Sequence, residues 1–152
     1  MGKWGQDGTA APARVLLALY LTALAFVAFW PTPVDRPAAG RLQAALLALH
    51  RAGLPDLVNY SFVEFTSNIL LFAPIGILAA LAFPVFHRGR IVLAAFLASC
   101  GMELGQKLFL HDRFPSAMDI VANTAGAMLG LWVLGVAVEW VREGGLDRVK
   151  RR

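Results

Sequence analysis

The sequence is poor in the residues that soluble surfaces and many catalytic sites require. It has one cysteine, Cys100, and three histidines among 152 residues. A single cysteine excludes an intrachain disulfide, and no cysteine–histidine pattern has zinc-site spacing. Charged residues make up only 16% of the chain, against about 25% in an average soluble domain. A glycine-rich phosphate loop and a GxSxG nucleophile motif are also absent, so neither a metal nor a cofactor is expected.

Hydrophobic residues are abundant instead and are gathered into long blocks. They make up 58% of the chain, and the mean hydropathy is +0.61. Blocks of roughly 20 apolar residues are long enough to cross a hydrocarbon core of about 30 Å. The blocks predict an all-α integral membrane protein, a bundle of four transmembrane helices. The predicted spans are 15–30, 62–83, 91–110 and 117–141.

The first span has an alternative interpretation as a cleaved signal peptide. The bulky Phe26, Phe29 and Trp30 stand near any cleavage point and argue against it, because cleavage requires small residues there. We therefore expect one membrane domain over 13–141, a disordered tail over 1–12 and a basic tail over 142–152.

The longest connection, residues 31–61, contains a short amphipathic pattern. Leu42, Leu46 and Leu49 recur at helical spacing, and Gly53 and Pro55 follow them as stop signals. The pattern is too short to span a bilayer. It predicts an interfacial helix between spans 1 and 2 that lies on the membrane surface or caps the bundle.

The basic residues predict the orientation of the bundle. Four spans place both termini on one side, and that side would hold nine basic residues against five on the other. Cytoplasmic segments carry the excess of Lys and Arg, so both termini are predicted to be cytoplasmic. The basic cluster at the C-terminus is then the cytoplasmic end of a span, and no nucleic-acid partner is expected.

Polar residues interrupt three of the predicted spans at similar depths. At 1.5 Å per residue, Asn68, Glu103 and Asn123 lie roughly 9–10 Å below the outer surface. Glu64, Gln106 and Asp119 form a second layer roughly 3–6 Å deep, and Arg113 lies in the loop above them. Polar groups at such depths are costly unless they face one another or a water-filled cavity. The sequence therefore predicts one outward-facing polar pocket.

Each of these residues also has a purely structural interpretation. Asn68 and Asn123 would then only bond neighbouring helices, and Asp119 would be an acid favoured by the helix dipole. Glu64 would complete a capping box with Ser61 at the N-cap. His111 and Asp112 are predicted to be solvated loop residues. Ala122, Gly126 and Gly130 form a small-xxx-small stripe for which we expect only helix packing.

The polar residues, taken with their neighbours, resemble the VanZ-like family of small bacterial membrane proteins. The resemblance is carried by residues 68–76 (NILLFAPIG), by Glu103-x-x-Gln106, by Arg113, and by the acid, amide and glycine pattern of 119–130. It covers 64–131. It implies a multi-span bundle in the bacterial cytoplasmic membrane and a link to low-level resistance to the glycopeptide teicoplanin. Many members carry further acids before the last Asp. Ser116 and Met118 stand there in this chain, which argues against a two-metal mechanism.

Three functional hypotheses follow. In the first, the pocket binds a lipid-linked or peptidoglycan-related ligand, with membrane lipids around it and Arg113 at its mouth, where its planar fork suits a carboxylate or phosphate. The ligand-binding set would be Glu64, Asn68, Glu103, Gln106, Arg113, Asp119 and Asn123. In the second, the protein is an intramembrane enzyme with Glu103 as general base and Asp119 as the other catalytic candidate. In the third it is an ion pathway, which the apolar cytoplasmic halves of the spans disfavour. Neither the ligand nor the oligomeric state follows from the sequence.

Overall fold

The protein folds into five helices within the described part of the chain. The computed structural model describes residues 4–30, 36–110 and 116–150, and side chains over 8–30, 40–110 and 116–143. The helices are α1 (Trp4–Ala28), α2 (Arg36–Arg51), α3 (Tyr60–Ala82), α4 (Arg88–Phe109) and α5 (Ala117–Lys150).

Four of these helices are long and apolar enough to cross a membrane. The segments are Gly8–Ala28, Tyr60–Ala82, Arg88–Phe109 and Ala117–Glu143. Large apolar side chains cover their outer faces, including Leu19, Leu70 and Trp132, each more than 60% exposed. Such a surface is unfavourable in water and matches a lipid environment. The predicted fold class, a four-helix membrane bundle with a short helix between spans 1 and 2, is confirmed.

Two helices extend further than the hydrophobic pattern predicted. α1 begins at Trp4, so residues 4–12 are helical and the prediction of a disordered tail is wrong for them. α5 continues to Lys150, through most of the predicted basic tail. Once a helix exists, each added residue gains a backbone hydrogen bond without a new nucleus. Polar residues can therefore prolong a span that hydropathy alone would end.

The closest helix crossing joins α3 and α5 and depends on glycine. A Cβ atom on Gly126 would lie 2.3 Å from the Ile69 carbonyl oxygen, and one on Gly130 would lie 2.0 Å from that of Ala73. Gly76 makes the reciprocal approach to Ala127. The two helices run parallel and touch backbone to backbone, which only glycine permits. The packing role predicted for Gly126 and Gly130 is confirmed.

The remaining spans are antiparallel to their neighbours. Arg14 Nε donates to the Ala82 carbonyl at 3.0 Å, and the Tyr20 hydroxyl donates to the Leu71 carbonyl at 2.8 Å. Later residues of α1 thus contact earlier residues of α3, so these two helices are antiparallel. Hydrogen bonds likewise join the end of α4 to the start of α5. α1 and α4 therefore end, and α3 and α5 begin, at one end of the bundle, which we call the site end.

α2 covers the site end from the side. It packs against α3, with Leu46 buried, Leu42 half-buried and Leu49 exposed. Gly53 ends the segment in the left-handed conformation, at a φ of 103°, which glycine adopts without steric cost. His50 Nε2 lies 3.1 Å from the Val58 carbonyl oxygen and ties α2 to the following turn.

The N-cap of α3 differs from the predicted one. Asn59 occupies it, and its side chain accepts a hydrogen bond from the Phe62 backbone N–H at 3.1 Å. The prediction of a capping box between Ser61 and Glu64 is therefore wrong. Asn is as good an N-cap as Ser, and the cap two residues earlier lets α3 begin at Tyr60. Glu64 is thereby moved beyond the position from which it could close a box.

Candidate functional site

A polar cavity of about 320 Å³ lies between all five helices near the site end. Its lining combines apolar side chains such as Leu24, Leu42 and Phe72 with a cluster of polar ones. Six residues of the predicted ligand-binding set line it, namely Glu64, Asn68, Glu103, Gln106, Asp119 and Asn123. The structure thus brings these residues together. Their role in binding a ligand stays a prediction.

Glu103 connects α4 to the start of α5. Its side chain is only 6% exposed, and its Oε2 accepts a hydrogen bond from the Ser116 backbone N–H at 2.8 Å. Ser116 immediately precedes α5, where backbone N–H groups have no partner within the helix. The partial positive charge of a helix start also favours a carboxylate. Glu103 therefore has the partner that a buried acid requires, and it fixes one wall of the cavity.

Gln106 connects α4 to the end of α1. Its Nε2 donates to the Ala28 carbonyl at 2.9 Å, and its side chain is buried. Ala28 is the last residue of α1, whose final carbonyl groups have no partner within the helix. The Gln106 amide thus satisfies one of them, and this donor is already committed to the fold.

Asn123 connects α5 to α4 at a third point. Its Nδ2 donates to the Ser99 hydroxyl at 2.8 Å, and both side chains are almost completely buried. Its Oδ1 is also buried and has no hydrogen-bond partner among the described residues. A buried amide oxygen without a donor costs about 1–3 kcal/mol. Asn123 therefore has an unmet hydrogen-bonding need within the described part of the lining.

The prediction that Glu103 and Asn123 lie at equal depth is wrong. Asn123 is bonded to Ser99, whereas Glu103 is bonded to the backbone at Ser116, seven residues before Asn123. Glu103 is thus nearer the site end than Asn123. Counting residues from predicted span ends missed this, because the start of α5 is drawn to the Glu103 carboxylate. The polar side chains are consequently spread further along the bundle axis than the two predicted layers.

α3 contributes a stripe of polar side chains to the cavity. Tyr60, Glu64 and Asn68 are spaced four residues apart and share a helix face, with Ser67 beside them. Asn68 is half-buried, and its amide makes no hydrogen bond within the described part of the chain. Unlike the amide of Gln106, the Asn68 amide is not used to join helices.

The charged residues of the described cavity lining are all acids. Glu64, Glu103 and Asp119 line it, whereas its described lining includes no Lys, Arg or His. No group of three His, Cys, Asp or Glu side chains in the described ranges is placed to hold a metal ion. Arg113, predicted at the mouth, lies outside the described residues, as do His111 and Asp112.

Sequence reasoning missed three polar members of the cavity region. Ser99 is the buried partner of Asn123, and Tyr60 and Ser67 line the cavity. Ser99 had a usable signal, because it precedes Glu103 by four residues and so shares its helix face. Tyr60 had the same relation to Glu64.

Comparisons with known proteins show which family the chain belongs to. The VanZ/LLP1 family model matches residues 17–138, a range that takes in two spans completely, most of the first and the last, and every residue that lines the cavity. Over 145 residues the chain is 28% identical to Protein VanZ of Enterococcus faecium, a match that covers 90% of this chain and 82% of that protein. No solved structure matches. Since the family model covers far more than half of the sequence, the chain belongs to the VanZ/LLP1 family.

Proposed function

We propose that this protein binds the polar headgroup of a membrane amphiphile in the cavity at the site end. The amphiphile would be lipid-linked or peptidoglycan-related. The observation that carries the proposal is a cluster of acid and amide side chains that lines a cavity of about 320 Å³ within a bundle whose exterior is apolar. A polar headgroup that enters the cavity from the bilayer would replace its hydrogen bonds to water with hydrogen bonds to these side chains.

The hydrogen-bonding groups of the cavity favour a ligand rich in donors. The buried Oδ1 of Asn123 is an acceptor that has no hydrogen-bond partner among the described residues. Hydroxyl, amide and ammonium groups are donors of the required kind. The half-buried Asn68 amide can both donate and accept, so it suits the recognition of a sugar or peptide group.

The proposal includes an orientation. Placing both termini in the cytoplasm, as the distribution of Lys and Arg favours, turns the site end toward the outside of the bacterial cytoplasmic membrane. The headgroups of lipid-linked cell-wall precursors and of outer-leaflet lipids are on that side. The same location makes a contribution to glycopeptide resistance, teicoplanin included, part of the proposal.

Native mass spectrometry of the detergent-purified protein tests the binding proposal directly. The wild-type protein should carry a bound amphiphile, and Asn68→Leu should lose most of it while remaining folded, because Asn68 joins no helices. Thr124→Val is the matched control. It also removes a polar group from a span, but the Thr124 hydroxyl bonds only to the Ile120 carbonyl of its own helix. If the wild-type protein and Asn68→Leu carried equal amounts of bound amphiphile, headgroup binding at this cavity would be refuted.

The resistance component is tested by expression in a susceptible bacterium. The wild-type protein should raise the teicoplanin concentration that inhibits growth, and Asn68→Leu should not, at equal membrane abundance. Protection that survives Asn68→Leu would separate resistance from the cavity.

The geometry gives less support to the alternative of an intramembrane enzyme. Glu103, the candidate base, has Oε2 engaged by the Ser116 N–H. Glu103 is better suited to positioning α5 than to removing a proton from a substrate.

A further inference from the structure

A second cavity, of about 260 Å³, lies beside the polar one and is lined only by apolar side chains and one glycine. Its floor is formed by Phe72, Ile75 and Ala95, of which Phe72 and Ala95 are among the most buried apolar residues. It lies in a cleft between α1 and α4, which we call the lateral cleft. α1 packs mainly against α3, and α4 packs mainly against α5, whereas α1 and α4 make few contacts with each other.

The lateral cleft is closed at the site end and open at its side. At the site end, Gln106 bonds to Ala28, and the Phe29 ring covers Gly105 so closely that a Cβ there would lie 2.9 Å from it. Further from the site end, the side chains of the rim are exposed. They are Leu21 and Ala25 on α1 and Ala98 and Gly101 on α4. The opening therefore faces the hydrocarbon core of the bilayer and not the aqueous phase.

The two cavities share three lining residues. Leu24, Phe72 and Met102 line both, so these side chains lie between the polar compartment and the apolar one. From Asn68 in the first cavity to Ile75 in the second, α3 advances about 10 Å. Polarity thus falls with distance from the site end, in the same order as in an amphiphile whose headgroup is at the membrane surface.

We infer that the lateral cleft holds one hydrocarbon chain of the amphiphile whose headgroup occupies the polar cavity. The inference rests on the proposed function, since it assigns the tail of the same ligand. The occupant enters sideways from the bilayer between α1 and α4, and the Phe29–Gly105 contact keeps that opening separate from the aqueous end. An alkyl chain needs no hydrogen bonds, and this lining offers none.

A photoreactive lipid tests the inference. The protein is reconstituted in vesicles of phosphatidylcholine and phosphatidylglycerol that contain a phosphatidylethanolamine with a diazirine in one acyl chain. Illumination and peptide mass spectrometry then locate the labelled residues. We expect more label on the rim and floor of the lateral cleft than on Leu93 and Leu97 of α4, although these two leucines are more exposed than Leu21 at the rim or Phe72 at the floor.

Two matched variants make the test specific. Ala98→Leu adds bulk at the rim and should reduce cleft labelling about tenfold. Ala94→Leu places the same substitution one turn away, at an exposed position outside the lining, and should leave labelling unchanged. Gly101→Leu is a second blocking variant, because a Cβ on Gly101 meets nothing within 4 Å, so the new side chain would grow into open space.

The outcomes separate this inference from the proposed function. Cleft labelling that Ala98→Leu or Gly101→Leu removes supports the tail site, whatever Asn68→Leu does. Cleft labelling that persists in Asn68→Leu would leave the tail site in place and would refute only the assignment of the headgroup to the polar cavity. Labelling spread evenly over exposed α1 and α4 residues, and unchanged by the blocking variants, would overturn the tail site. Cross-linked dimers through the cleft would also overturn it, since a second copy would then be the occupant.

Discussion

Asn123 and Ser99 join α5 to α4 through a buried hydrogen bond of 2.8 Å between Nδ2 and Oγ. Neither side chain is near the exposed surface, and neither residue is charged. The bond is therefore not weakened by water, and its loss leaves a polar group in an apolar interior. It also fixes the amide of Asn123 at the inner end of the polar cavity.

Removing one partner of this bond should destabilise the bundle more than removing both. Ser99→Ala leaves the whole Asn123 amide without a partner and should lower the free energy of unfolding by about 1–2 kcal/mol. The double variant Ser99→Ala/Asn123→Leu should recover most of that loss, because no unmet polar group remains. Unfolding in a dodecyl sulfate titration from mild detergent measures both. Additive losses in the double variant would contradict the prediction.

Exchange between acid and amide should cost less stability at Glu103 than at Gln106. Glu103→Gln keeps an oxygen that can accept from the Ser116 N–H, so we expect a loss of only about 1 kcal/mol. Gln106→Glu removes the donor to the Ala28 carbonyl and sets a carboxylate against that oxygen, so the loss should be larger, about 2–3 kcal/mol. Thermal unfolding in detergent compares the two. The reverse ranking would mean that the hydrogen bonds are not as assigned.

Hydrogen exchange reports the Glu103 contact locally. Glu103→Leu removes the acceptor for the Ser116 N–H, so amide exchange at the start of α5 should accelerate. Exchange in the middle of α5, where Gly126 and Gly130 pack on α3, should change little. Uniform acceleration through α5 would instead indicate that Glu103 supports the whole bundle.

The sequence predicted the spans and the members of the polar cluster better than it predicted the hydrogen bonds that these members make. Long apolar blocks and the Ala122–Gly126–Gly130 spacing depend on composition and helical period alone, and these survive in the structure. The bond from Gln106 to Ala28 joins residues 78 positions apart. No local pattern encodes such a pair, because it depends on which helices become neighbours. The Asn59 cap was missed for another reason: several polar residues near the start of α3 can serve as caps.

Substitution of the glycines between α3 and α5 should be the most damaging single-methyl change in the bundle. Gly126→Ala would place its Cβ 2.3 Å from the Ile69 carbonyl oxygen, so the backbones must separate, at a cost of about 1–3 kcal/mol. Gly101→Ala is the matched control in α4, since its Cβ would meet nothing within 4 Å and alanine favours a helix. The temperature of thermal unfolding should fall for Gly126→Ala and should stay equal or rise for Gly101→Ala. Equal effects of the two substitutions would mean that helix propensity, and not the close crossing of α3 and α5, determines the change in stability.

The orientation of the bundle decides whether the cavity can meet outer-leaflet ligands, and cysteine labelling tests it. In a Cys100→Ser background, Asp56→Cys places a thiol in the exposed turn at the site end, and Val85→Cys places one in the exposed α3–α4 connection, where Val85 is 84% exposed. A membrane-impermeant maleimide added to intact cells or spheroplasts should label position 56 and not position 85. After permeabilisation both should react, which shows that each thiol is accessible. Labelling of position 85 alone in intact cells would place the site end in the cytoplasm, because the two positions lie at opposite ends of α3.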